Sequence, residues 1–204
     1  SLSWSYDELR IVSVSANGFD NIRIWDVVNE EQLLAIGVLD TFVADWRQNP
    51  DDSFIVAGTS ISLSRINPIT GDITGLNTDE TAFVGAGITA LTWNNQNSLV
   101  ATGDMLGAIS IFYSSGVLYT FLESTNPVRI NSVAWKSDGQ FIASGDDLGT
   151  IRVWSVNTGQ EVDVIDTGED AVFSVSWNPV FNEIAYGGIS GVMERFQPNL
   201  SEFE

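Results

Sequence analysis

Carboxylates are the abundant reactive side chains of this 204-residue chain: it has 27 acidic residues, no histidine and no cysteine. Without imidazole or thiol, histidine general bases, cysteine nucleophiles, disulfides and ordinary zinc sites are excluded. Carboxylates alone can hold calcium, attract a cationic partner, or work in pairs on a glycosidic bond. The adjacent acids Asp51-Asp52 and Asp146-Asp147 do not have the Asp-x-Asp-x-Asp-Gly spacing of a calcium loop. Gly85-Ala86-Gly87 lacks the third glycine and following helix of a nucleotide fingerprint. No catalytic residue, metal ligand or cofactor is assigned from these patterns.

The acids face only 8 basic residues, a formal charge of −19 with Lys136 the single lysine. A field of that sign repels phosphate backbones and anionic membrane surfaces, so nucleic acid and membrane are not expected partners. A protein partner with a basic segment fits the charge, and so does the plainer role of keeping a β-rich surface in solution. No apolar run reaches the ~18 residues of a membrane-spanning helix. The opening Ser1-Leu2-Ser3-Trp4-Ser5 does not have the form of a signal peptide.

The elements that position these acids follow from a repeat. Trp4, Trp46, Trp93, Trp135 and Trp177 recur at intervals of 42, 47, 42 and 42 residues, and each introduces the same phrase. The fourth copy is clearest: Ile130–Trp135, the turn Lys136-Ser137-Asp138-Gly139, Gln140–Gly145, the turn Asp146–Gly149, then Thr150-Ile151-Arg152-Val153-Trp154. Asn157-Thr158-Gly159 leads into a last segment from Glu161 to Ile165. Alternating apolar and polar residues predict strands, and the Gly and Asx clusters predict hairpin turns. Each repeat is thus four short antiparallel strands. Such a unit cannot bury both faces alone, so several must stack radially.

Ile22-Arg23-Ile24-Trp25-Asp26 and its near copy Ile151-Arg152-Val153-Trp154-Ser155, together with the five phased phrases, resemble the WD-repeat β-propeller family. The other copies end in Ser64-Arg65-Ile66, Ser110-Ile111-Phe112 and Glu194-Arg195-Phe196. The resemblance implies an all-β propeller of four-stranded blades. About five blades are expected here, with repeats at about 1–40, 41–86, 87–128, 129–170 and 171–204, the last incomplete. It also implies tryptophans filling the gaps between blades. The family's His/Ser/Asp/Trp tetrad cannot be complete without histidine. The tetrad's Asp place holds Phe19, Leu106, Leu148 and Ser190 in the repeats where it can be read, which leaves apolar packing and backbone ladders to hold the blades. The chain opens at a first strand with no spare strand ahead of it, and Val192–Phe196 is expected to be a third strand. The five repeats are therefore expected to be part of a larger, seven-bladed ring, with further blades of a longer chain beyond that strand. A strand donated by a partner, or Leu200–Phe203 folding back, are the alternatives.

The resemblance implies a non-catalytic scaffold for protein–protein interaction. The turns between second and third strands share one end of the stack and carry Asp20, Asn21, Asp104, Asp146 and Asp147; the long connection with Asp79 and Glu80 is placed there too. These seven residues are the candidate partner-binding set, although Asp and Asn are also ordinary turn formers. An architectural role as one subunit of a larger complex is the alternative, and a carboxylate-based propeller glycosidase a more distant one. The family implies a cytoplasmic location, with secretion as the alternative.

Overall fold

The computed structural model describes residues 1–15, 20–51, 53–76, 87–94, 96, 98–124 and 126–200. Within them lie 19 strands in five antiparallel sheets, each sheet made of strands consecutive in sequence. The first contains β1 (Leu2–Trp4), β2 (Arg10–Val14), β3 (Ile22–Asp26) and β4 (Glu31–Ile36). The second contains β5 (Val43–Trp46), β6 (Ile55–Gly58), β7 (Leu63–Ile66) and β8 (Ile73–Gly75). The third contains β9 (Ile88–Trp93), β10 (Leu99–Asp104), β11 (Ala108–Tyr113) and β12 (Leu118–Glu123). The fourth contains β13 (Ile130–Trp135), β14 (Phe141–Asp146), β15 (Thr150–Ser155) and β16 (Glu161–Asp166). The fifth has three strands among the described residues: β17 (Val172–Trp177), β18 (Ile184–Gly188) and β19 (Met193–Phe196).

All five phased tryptophans close the first strand of their sheet. The sheets resemble propeller blades and stack in sequence order, with first strands neighbouring one another as β1, β5, β9, β13, β17. Four apolar clusters fill the four junctions. Trp46, Ile55 and Ile66 of the second sheet, for instance, meet Val12, Ile22 and Ile24 of the first. Trp135, Ile142 and Trp154 of the fourth meet Ala101, Ile109 and Ile111 of the third. Each sheet thus directs its tryptophan face toward the sheet before it. Inner sheets, buried on both faces, show fully buried strands such as β6 and β14. The outer sheets show alternation instead, as at the starts of β3 and β18.

Two expectations need correction. Trp46, Trp93, Trp135 and Trp177 are buried to 0–7% exposure, but Trp4 is 49% exposed, because the described residues place no sheet against its face. Apolar packing and ladders also do not hold the blades alone. The indole N–H of Trp154 donates to Ser144 Oγ at 3.1 Å, and that of Trp25 to Ser13 Oγ at 2.9 Å. Half of the tetrad therefore persists in two sheets without histidine.

The first strands have no backbone ladder to one another. Side chains stitch them instead, each strand serving the next. The Ala44 N–H donates to Ser1 Oγ and the Trp46 N–H to Ser3 Oγ, both at 3.0 Å. Trp93 N–H donates to Asp45 Oδ2, and Val175 N–H to Ser132 Oγ, both at 3.1 Å. Hydroxyls and a carboxylate at alternate positions thereby satisfy amides that would otherwise be orphaned at an inner edge.

Candidate functional site

The turns between second and third strands meet the sheet-to-sheet connections at one end of the stack. Asn21 Nδ2 donates to Val38 O at 2.7 Å while the Val38 N–H returns to Asn21 Oδ1 at 3.0 Å. Asp147 N–H donates to Arg129 O, and Thr167 N–H to Gly149 O. Ser190 N–H reaches Glu169 Oε2 at 3.0 Å. Gly149 is required in its turn: its φ is +73°, and a Cβ there would sit 1.8 Å from Glu169 O, a position closed to other residues.

The sequence candidates separate by environment. Asp20 is exposed, whereas Asn21 and Asp146 are buried. Asp146 Oδ1 accepts the Leu148 and Thr150 amides at 3.0 and 2.9 Å, and Oδ2 lies 3.8 Å from Arg152 Nε. Asp104 repeats the device, its Oδ1 accepting from Leu106 and Ala108 at 2.8 and 2.9 Å. Burial raises the Asp104 carboxyl above the usual range; these amides pull it down, and Glu123 pushes it further up. Asp147 Oδ1 accepts from Asn131 Nδ2 at 2.7 Å. Asp79 and Glu80 lie outside the described residues, as do Phe19, Asp52 and Gly85-Ala86. Asp20 presents an exposed carboxylate, Asp104 and Asp147 half-buried ones, and Asn21 and Asp146 shape the turns beneath.

Sequence reasoning passed over Asp40, Asp166 and Asp170, exposed acids on the connections at the same end. Their positions at or just past the end of the fourth strand were the available signal. Among the described residues, cations pair with Asp7, Asp138 and Glu183 in the turns at the opposite end. Asp20, Asp40, Asp166 and Asp170 have no such ion pair there. At this end Arg152 lies against Asp146, and at the opposite end the exposed acids Glu8, Glu30, Glu31, Asp51 and Asp72 also have no ion pair among the described residues.

Asp45 was also passed over. Its carboxylate lies where three first strands converge, accepting from Ser3 Oγ at 2.5 Å, Trp46 N at 3.0 Å and Trp93 N at 3.1 Å. Burial pushes its carboxyl up, and these three bonds pull it back only in part. A folded pKa above the unfolded ~3.9 means the fold binds the extra proton, so this group's contribution falls as pH rises through that raised value. Urea unfolding between pH 4 and 7 is expected to show wild type losing stability relative to Asp45→Asn. Parallel profiles would show that the seam is effectively solvated.

A groove of about 240 Å³ runs along the first strands of the second to fourth sheets, lined by Val43, Thr89, Leu91, Asn131, Ser132 and Val133. A larger hollow of about 460 Å³ surrounds Trp4 and Tyr6, with Glu8 its single carboxylate among the described residues. Neither hollow opposes two carboxylates as glycoside hydrolysis needs. No cluster of three or more metal-binding side chains occurs among the described residues, and no helix long and apolar enough to cross a membrane occurs among them.

The family profile described as "Anaphase-promoting complex subunit 4 WD40 domain" matches residues 91–180. That stretch runs from within β9 past the end of β17 and takes in most of the third sheet and all of the fourth. The match detects similarity to a WD40-type domain over that stretch, consistent with the WD-repeat resemblance. No curated protein matches the chain.

Proposed function

We propose that this chain, with a WD40-type domain at its centre, is a non-catalytic interaction scaffold whose five sheets are consecutive blades of a β-propeller. On this reading the open faces of the first and last sheets take further blades of a larger ring. The end carrying Asp20, Asp104 and Asp147 docks a protein partner through a basic segment, and Asp40, Asp166 and Asp170 widen that acidic surface. The observation that supports the docking proposal is that the exposed acids Asp20, Asp40, Asp166 and Asp170 lie together with Asp104 and Asp147 where turns and sheet-to-sheet connections meet, on a chain of charge −19. Such a surface accelerates encounter with a basic partner more than it tightens the final complex. The matched family's description names a subunit of a complex, which favours an architectural role as the second reading.

A Lys/Arg-rich peptide of mixed sequence, followed by stopped-flow fluorescence, tests the docking. The association rate is expected to fall steeply between 50 and 300 mM salt, since exposed charges are screened beyond ~10 Å at 0.1 M. Changing Asp20, Asp40 and Asp170 together to Asn should slow association about tenfold while leaving the melting temperature in place. These exposed positions avoid disturbing the Asp104 and Asp146 turns. Unchanged association would move the interface elsewhere.

A further inference from the structure

The fifth sheet ends in a surface built like the junctions already filled. At three of those junctions a glycine of the second strand makes room for a β-branched residue five positions ahead of the next sheet's phased tryptophan. A Cβ at Gly58 would lie 2.7 Å from Ile88 Cγ2; at Gly103, 2.5 Å from Ile130 Cγ2; at Gly145, 2.5 Å from Val172 Cγ1. Each glycine pairs in register with the residue three before its own sheet's tryptophan: Val43, Ala90 and Ser132. Gly187 holds the same register place opposite Ser174, but the nearest atom to a Cβ there is Val192 O at 4.0 Å. Among the described residues the notch is present and unfilled.

The polar stitching is repeated too. Ser174 stands where Ser1 and Ser132 accept the amide of the next first strand; Ser176 stands where Ser3 and Asp45 do so. Both serines are exposed. Beside them Phe173 and Met193 are 53% and 79% exposed.

We infer that Gly187, Ser174 and Ser176 form a seat for one kind of occupant, a further sheet of this same repeat type. Its first strand carries Ile or Val five residues before a tryptophan, and its amides at the tryptophan and two residues earlier reach the two serine hydroxyls. The argument is continuity with an interface this molecule builds three times, and it rests on the blade reading proposed above. A peptide of other form would fill neither the notch nor the hydroxyl spacing.

The first sheet supplies a probe. Leu2 and Trp4 occupy the two amide positions, and Trp4 is exposed. Adding Ile-Asn ahead of Ser1, copied from Ile130-Asn131, places an isoleucine five residues before Trp4 and completes the plug. The extended full chain should associate head to tail in sedimentation experiments, about tenfold more tightly than the chain itself. Raising salt should strengthen this association, because copies of like charge repel; basic-peptide docking should respond in the opposite sense. Gly187→Val should return the extended chain to the behaviour of the chain itself, while its melting temperature stays within about 2 °C. Extended chain that associates no better, association untouched by Gly187→Val, or a lowered melting temperature in that variant would each overturn the seat. Failure of the blade reading looks different: Gly145→Val would leave stability unchanged.

Discussion

Trp46→Ala and Trp154→Ala are each expected to lower unfolding free energy by about 3–5 kcal/mol, against about 1 kcal/mol for Trp4→Ala. The three residues are chemically identical, and Trp46 and Trp4 occupy the same place in their sheets. What differs is the neighbour. Trp46 is fully buried between the first and second sheets, and Trp154 is 1% exposed in the cluster joining the third and fourth. Truncation there removes the transfer energy of the ring and leaves a cavity that the surrounding strands can only partly close. Trp154→Ala also strands the Ser144 hydroxyl, which accepts the indole N–H. Trp154→Phe keeps most of the volume and loses that bond, so it separates packing from hydrogen bonding, with about 1 kcal/mol expected for the bond. Urea denaturation of the four variants measures all of this. Equal losses at Trp4 and Trp46 would mean that the first sheet's face is covered in solution.

The contrast between Trp4 and its counterparts marks how far sequence reasoning reaches. The tryptophan period and the alternation in Ile151-Arg152-Val153-Trp154 placed the strands, because both signals are local and repeat five times. The fourth repeat's expected segments fall within a residue or so of β13 to β16. Which way a turn carboxylate faces is not local. Asp20 and Asp146 sit in equivalent turns, yet one is exposed and the other is closed over the Leu148 and Thr150 amides. Asp45 was invisible for a related reason: its donors include Ser3 and Trp93, on strands about one repeat away in either direction. Side chains that join neighbouring sheets carry no signature within their own repeat. The surviving Trp–Ser pairs were hidden differently, by an expectation that the tetrad is lost whole once histidine is gone.

Gly145→Val is expected to destabilise the fold by about 3 kcal/mol, at the upper end of overpacking costs. The position is neither a turn nor a left-handed residue. It lies within β14, paired with Ser132 on β13 and Ile151 on β15. Strand propensity alone would predict a gain, since valine suits a strand better than glycine by up to about 1 kcal/mol. Sterics decide the sign. A Cβ there would lie 2.5 Å from Val172 Cγ1 and 3.1 Å from both Val172 Cβ and Val175 Cγ1. Those atoms belong to the first strand of the next sheet, so relief requires moving β17 away from β14 and opening the cluster around Val172, Val175 and Trp177. Trimming the obstacle should therefore rescue the variant. Val172→Ala removes the nearest methyl and is expected to cost about 2 kcal/mol by itself, yet to recover about 1 kcal/mol when combined with Gly145→Val. A double-mutant cycle by chemical denaturation reads that coupling. Strict additivity would show that the two residues do not meet, and the junction between the fourth and fifth sheets would have to be redrawn.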